Sequence, residues 1–503
     1  MRVKNLKSKK RQDEQLRKIR EEQKTKEKSR KKKKKRSINR EYAIVCYFFV
    51  GIFVALIGYV VYFNTIRSED FINSPYNTRQ NTFADRVIRG SIISSDGQTL
   101  AYTQADEDGN ETRIYPYENV FAHVVGYTDQ GKSGLESLAN FELLTSHASY
   151  FEQLENELLE QKNVGDNVIT TLDANLQMTA YEALGSYDGA VVIMNARTGA
   201  ILAMVSKPNF NPNTLSENWD SLVSDESDSS LLNRATQGAY PPGSTFKIIT
   251  ALAYLREHGN LDGFYFNCTG SITEKEHTIH CYNDSVHGEE NLTKAFAKSC
   301  NSAFAKMGLD LGADVLNDAA SDMLFNKKLP LNLVYRKSSF ALTDEEGSAL
   351  MMQTAIGQGN TLVSPMHMAL IVSAIANDGE LMRPYLIERV ENYKGTKIRS
   401  THTSAYKQLL SPSEAEALQG LMESVVREGT GSKLSGESYT AAGKTGSAEY
   451  DSAEGRKTHS WFVGYSNVED PELVVSVIAE GAGTGSEVAV PIAKKIFNAY
   501  YYD

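Results

Sequence analysis

Tyr240 to Gly259 reads YPPGSTFKIITALAYLREHG, and the rest of the chain is organised around it. Pro241, Pro242 and Gly243 break what precedes, and Gly259 closes the apolar, helix-forming run that opens at Ser244. A serine at a helix N-terminus faces unpaired backbone N–H groups and the positive end of the dipole, which favours a nearby oxyanion. Lys247 is three residues on and shares its face. A serine hydroxyl is a poor nucleophile at neutral pH. A lysine can take its proton only where desolvation or a neighbouring positive charge makes the neutral amine accessible. The ordinary alternative makes Ser244 an N-cap and Lys247 part of a solvated face.

Two later segments bear on that choice. Ser299-Cys300-Asn301 follows an expected helix over 291–298; its ordinary alternative has Ser299 capping the next helix and Asn301 bonding locally. Lys444-Thr445-Gly446 lies in TAAGKTGSAEY, a strand context in which Gly446 permits another backbone to approach closely. A phosphate-binding loop at Gly443-Lys444-Thr445 fails, because the first glycine, five positions upstream, falls at Ser438. Each piece alone is weak: Ser-x-x-Lys recurs at Ser29 and Ser404, and Ser-x-Asn at Ser216.

Working outward, 189–195 and 200–206 are apolar and β-rich, joined by Ala196-Arg197-Thr198-Gly199 as a hairpin. Strands are expected again at 439–442, 460–465 and 473–480, and a helix at 488–500. Two early and three late strands around a helical middle predict one α+β domain with a five-stranded antiparallel sheet.

The net charge of −10 hides an asymmetry: residues 1–40 carry 20 Lys+Arg against 5 Asp+Glu, so the remainder is strongly acidic. Residues 42–63 then run without a formal charge; at about 1.5 Å per residue they span the hydrocarbon core of a bilayer. A cleaved signal peptide is disfavoured because the run is too long and no small-x-small site follows. The basic flank accounts for its own charge as a cytoplasmic topology signal, which leaves nucleic-acid binding unneeded. The expected division is a basic cytoplasmic tail over 1–40, a membrane helix over 41–63, a first extracytoplasmic region over 64–164 and the main domain over 165–503. Cysteines 268 and 281 could form a disulfide outside the cytoplasm. A zinc site with His277, His280 or His287 is conceivable, but the cysteines lack the usual two-to-four-residue spacing, and a polar hairpin without metal is preferred.

Ser244-Thr245-Phe246-Lys247, Ser299-Cys300-Asn301 and Lys444-Thr445-Gly446, in this order, match the active-site set of penicillin-binding proteins and serine β-lactamases. Ile356-Gly357-Gln358-Gly359, Gly429-Thr430-Gly431 and Ser460-Trp461-Phe462-Val463-Gly464-Tyr465 resemble further transpeptidase stretches. Thr78-Arg79-Gln80, Asp85 to Ile93 and Gly134-Leu135-Glu136 resemble the N-terminal domain of class B penicillin-binding proteins. About 100 residues between anchor and main domain are too few for the glycosyltransferase domain of class A. The resemblance implies a single-pass class B D,D-transpeptidase of peptidoglycan, acting without a cofactor on D-Ala-D-Ala stem peptides, acylated by β-lactams and partnered by a polytopic membrane glycosyltransferase. It implies Ser244 as nucleophile, Lys247 as base and Ser299 as proton relay. Asn301, Lys444, Thr445 and Gly446 would hold substrate, and the N–H groups of Ser244 and Ser447 would form the oxyanion hole. A D,D-carboxypeptidase or membrane-bound β-lactamase is the enzymatic alternative; no glutamate-bearing deacylation loop is recognisable between Asn301 and Lys444. A β-lactam sensor or idle scaffold is the non-enzymatic one. The intact motif set argues against a scaffold, and the short tail against a sensor.

Overall fold

The computed structural model describes residues 2–63, 86–106, 109–225, 229–343, 345, 347–452 and 455–502; Thr78-Arg79-Gln80 and Asp85 lie outside them. The chain divides into two compact units, Met1–Ser74 and Pro75–Asp503. In the first, α1 (Arg2–Tyr62) is one helix of 61 residues. Its Arg40–Tyr62 stretch, with mean hydropathy 2.6, is long and apolar enough to cross a membrane.

The second unit is built on the expected five-stranded antiparallel sheet. Its strands are β1 (Gly189–Asn195), β2 (Ile201–Lys207), β3 (Ala441–Ser452), β4 (Gly455–Ser466) and β5 (Leu473–Ala479), in the order β3-β4-β5-β1-β2. Both faces are covered, so the inner strands read as continuous apolar runs instead of alternating with polar residues. On one face Val191, Ile193, Val475 and Val477 pack with Leu176, Ala180, Ile496 and Phe497 of α2 (Ala174–Leu184) and α7 (Val490–Tyr502). On the other, Val192, Met194, Val474 and Ile478 join the larger core that contains α6 (Pro365–Ala376). All twelve residues of α6 are buried; Ser364 caps it by accepting from His367 N at 3.2 Å, with Pro365 in its first turn.

β3 and β4 are longer than the sequence suggested, pairing from Ala441–Ser466 to Ser452–Gly455. Their outer ends, Glu449 to Ser452 and Gly455 to Lys457, are mostly polar and carry no apolar alternation to announce a strand.

A six-stranded sheet lies on the N-terminal side, ordered Lys397–Ser400, Ile387–Glu391, Asn167–Thr170, Ile92–Ile93, Thr99–Ala105 and Glu111–Ile114. It takes strands from both sides of residue 165, with Asn167–Thr170 bridging Ile92–Ile93 in parallel and Ile387–Glu391 in antiparallel pairing. The segments Arg89-Gly90 and Gly134-Leu135-Glu136 meet here. Glu136, fully buried, accepts from Arg89 at 2.6 Å and from Arg113 at 2.7 Å. Arg89 also reaches Asn140 Oδ1 at 2.5 Å, and Arg113 donates to the Gly90 carbonyl at 2.7 Å. Two guanidiniums outweigh burial and hold the Glu136 carboxyl below its ordinary range.

Candidate active site

Gly243–Phe246 forms a 3₁₀ turn that runs directly into α3 (Lys247–His258), and Gly259 ends the helix in the left-handed conformation. The turn is fixed from several sides. Gly243 N donates to the Gly357 carbonyl at 2.9 Å, Thr245 Oγ1 to the Pro242 carbonyl at 2.8 Å, and Trp461 Nε1 to the Pro241 carbonyl at 3.1 Å. Ser244 is half-buried, and its hydroxyl has no hydrogen-bond partner among the described residues.

Lys247 is fully buried, which removes the solvated-face alternative. Its Nζ donates to the Ser299 carbonyl at 2.7 Å, to Asn301 Oδ1 at 2.8 Å and to Ser299 Oγ at 3.3 Å. Lys444, also fully buried, donates to the same Ser299 Oγ at 3.0 Å and to the Thr445 carbonyl at 3.2 Å. One hydroxyl thus sits between two ammonium groups. Burial pushes Lys247 down to about 8. Lys444 is held well below the ordinary lysine range by burial and by the charge of Lys247. The expected repulsion between the lysines is present, and its effect falls on Lys444; for Lys247 desolvation is the leading cause.

Ser299 does not cap the following helix. Its φ is +57°, an unusual conformation for serine, which turns both its carbonyl and its hydroxyl toward Lys247. Cys300 is the N-cap of α5 (Asn301–Asp322), its sulfur accepting from Ala303 N at 3.4 Å. The preceding helix, α4 (Leu292–Ala297), is itself capped by Asn291. Asn301 is tied at both ends, with Oδ1 on Lys247 and Nδ2 donating to the His280 carbonyl at 2.9 Å. One Nδ2 hydrogen remains for another acceptor.

β3 is an edge strand of the sheet and carries Lys444, Thr445, Gly446 and Ser447 past the Ser244 turn. A Cβ on Gly446 would lie 3.0 Å from Thr245 Cγ2 and 3.0 Å from Trp461 Cβ. One on Gly243 would lie 2.7 Å from the Ser447 carbonyl oxygen. Both glycines are therefore demanded by the closeness of strand and turn. That closeness brings the backbone of Ser447 beside that of Ser244.

The structure joins Lys247, Ser299, Asn301 and Lys444 in one hydrogen-bonded cluster, sets Gly446 and Ser447 against the turn that carries Ser244, and adds three residues. The Thr430 hydroxyl meets that of Thr445 at 2.5 Å. The rings of Phe304 and Phe296 lie 5.3 Å from the Lys247 and Lys444 ammonium groups respectively. Phe296 and Phe304 sit at helical spacing from Ser299 and Asn301, a signal indistinguishable in sequence from ordinary core. Cysteines 268 and 281 are free thiols.

Comparison with known proteins points to one family. The family described as the penicillin binding protein transpeptidase domain matches residues 189–498, and the penicillin binding protein A dimerisation domain matches residues 89–168. The peptidoglycan D,D-transpeptidase PbpA of Mycolicibacterium smegmatis is 32% identical over 434 residues, 81% of this chain and 87% of that protein. A solved D,D-transpeptidase domain from Eggerthella lenta is 30% identical with a TM-score of 0.74, covering 82% of this chain and 98% of that one. The penicillin G acyl-enzyme complex of penicillin-binding protein A from M. tuberculosis is 29% identical with a TM-score of 0.74, covering 82% and 99%. By family match over most of its length, by fold and by motif order, this chain belongs to the class B penicillin-binding proteins, the peptidoglycan D,D-transpeptidases.

Proposed function

We propose that the chain cross-links peptidoglycan stem peptides through an ester on Ser244. The observation that carries this reading is the Lys247–Ser299–Lys444 chain, two buried ammonium groups on one hydroxyl at 3.3 and 3.0 Å. Neutral Lys247 takes the Ser244 proton as Oγ attacks the carbonyl of the penultimate D-Ala. The developing oxyanion is held by the N–H groups of Ser244 and Ser447. The proton passes through the Ser299 hydroxyl to the departing amine of the terminal D-Ala as the peptide bond breaks. An amine of a second strand then attacks the ester, gives its proton back along the same route, and releases Ser244. Lys444 and Thr445 hold the donor carboxylate, the remaining Asn301 amide hydrogen holds the donor backbone, and the strand edge at Gly446 aligns it. A β-lactam follows the first half of this sequence and stops at the ester, in keeping with the acyl-enzyme captured in the M. tuberculosis relative.

The same reading takes residues 1–40 as cytoplasmic, 41–63 as the membrane span, 64–164 as a non-catalytic pedestal and 165–503 as the extracytoplasmic catalytic domain. The pedestal would meet a polytopic membrane glycosyltransferase. Benzylpenicillin should add one drug mass to the peptide containing Ser244 and none to Ser244→Ala. Release should take many minutes, and a D-amino acid acceptor should compete with water for a D-Ala-D-Ala or thioester donor. An unlabelled Ser244 peptide sinks the assignment, and turnover of penicillin within seconds replaces synthase by hydrolase. Protease added outside intact cells should spare residues 1–40 and reach a tag placed after Asp503; the reverse pattern overturns the orientation.

A further inference from the structure

Residues 265–291 leave the core as two small β-ladders, Tyr265–Cys268 with Gly288–Asn291 and Ser271–Glu274 with His277–His280. This excursion has almost no apolar core of its own. Its buried residues are Cys268, Gly270, Cys281 and Glu290, while Tyr265, Tyr282 and Val286 are exposed. A segment this small that buries so little apolar surface needs another kind of tie.

The ladders supply one. Cys268 ends the first strand, opposite Gly288, which places His287 beside it; Cys281 follows the second ladder, its N–H donating to the Gly270 carbonyl at 2.8 Å. Cys300, in the middle of the Ser299-Cys300-Asn301 turn, comes up from the main domain. Cys268 Sγ is 3.6 Å from Cys281 Sγ and 3.4 Å from His287 Nδ1, and Cys281 Sγ is 3.7 Å from Cys300 Sγ. All four ligand atoms lie within 4.8 Å of one another. Sulfurs bound at about 2.3 Å around a tetrahedral zinc stand about 3.8 Å apart. Disulfide sulfurs stand at about 2.05 Å, and pairing any two of these three would strand the third beside the imidazole. The three thiols are buried and His287 is half-buried on the outer side. The buried carboxylate of Glu290 lies beside Cys300.

We propose that Cys268, Cys281, Cys300 and His287 bind one zinc ion, which fastens the 265–291 excursion to the Ser299-Cys300-Asn301 turn. Thiolate and imidazole in a closed tetrahedral set select zinc without redox chemistry, and the site is structural because it has no open position. Sequence spacing alone favours a metal-free hairpin, whereas the fold supplies Cys300 as the third thiolate from a distant element. The consequence for the cleft is positional. Cys300 lies between Ser299, which meets both lysines, and Asn301, whose amide is held by the carbonyl of His280, the residue before Cys281.

The full chain, purified in detergent under reducing conditions, is measured for metal by plasma mass spectrometry and for free thiols by alkylation after denaturation. We expect about one zinc per chain and, after exchange into cobalt(II), the visible bands of a tetrahedral thiolate-rich centre. His287→Ala should weaken metal retention by at least about tenfold, while His287→Cys should keep the metal with shifted cobalt bands. Chelation should slow penicillin acylation, and added zinc should restore it. A chain with no zinc, with iron in its place, or with a 268–281 disulfide overturns the site, as does a His287→Ala chain with unchanged cobalt bands. Zinc removal that leaves acylation untouched overturns the positioning role. Metal content is independent of which residue is acylated, so the two readings fail separately.

Discussion

Arg89, Glu136 and Arg113 in the N-terminal sheet, and Lys247, Ser299 and Lys444 in the cleft, both place full charges where water is excluded, yet they are balanced in opposite ways. In the first cluster one carboxylate lies between two guanidiniums at 2.6 and 2.7 Å, and opposite charges meet. In the second, two ammonium groups converge on a neutral hydroxyl, and no carboxylate is bonded to either among the described residues. A cluster of directly paired charges fixes geometry; one whose ammonium groups are bonded only to neutral acceptors leaves burial to lower the lysines and so makes one available as a base. The first belongs to architecture and the second to chemistry, and substitutions should separate them.

The largest effect is expected in the cleft. Lys247→Ala should slow acylation of Ser244 by about 10²–10⁴-fold without loss of folding, read as the rate of fluorescent penicillin labelling. Lys247→Arg should fail equally, because a guanidinium does not deprotonate in proteins. Retained labelling would move the base elsewhere, with Lys444 next in line.

Glu136→Ala should do the reverse. Leaving two guanidiniums buried without their carboxylate costs about 3–5 kcal/mol of stability, measured by urea unfolding, while the folded fraction keeps its acylation rate. The pH dependence has a definite sign. Because Glu136 is held below its ordinary range when folded, its stabilisation is complete above the unfolded carboxyl pKa and is lost as pH falls through the folded value. Glu136→Gln should flatten that acid limb.

Lys444→Met sharpens the contrast from the other side. Removing an uncompensated buried charge should raise stability by about 1 kcal/mol or more while acylation falls, a trade that no residue of the Arg–Glu–Arg cluster should show. Unchanged or lower stability would mean that the ammonium is better compensated than its hydrogen bonds suggest.

The smallest effect is the pH profile. Acylation should climb about tenfold per pH unit and level near the value of about 8 to which burial brings Lys247. Lys444→Met should leave that midpoint in place, since desolvation is the leading cause of the shift.

Much of this is legible in the sequence alone. The apolar run after a basic tail, the five strands and the helix around Ser244 all follow from local composition and period, because burial selects residues one element at a time. The order of three short motifs carried the family. Local pattern could not reveal that Ser299 adopts a left-handed φ and leaves the capping to Cys300, since serine is the preferred cap by local chemistry and only its bonds to the remote Lys247 and Lys444 draw it away. Nor could it place Ile387–Glu391 against Asn167–Thr170, more than two hundred residues away, or bring Lys247 and Lys444 onto one hydroxyl. Spacing argued against metal at Cys268 and Cys281, whereas the fold brought Cys300 and His287 to them. The sequence by itself determined the five core strands, the helix after Ser244 and a stretch apolar and long enough to cross a membrane, and it held the motif residues in their order. Only the tertiary structure decided which of them meet, because distances between remote residues depend on how whole elements pack and not on the propensities within any one.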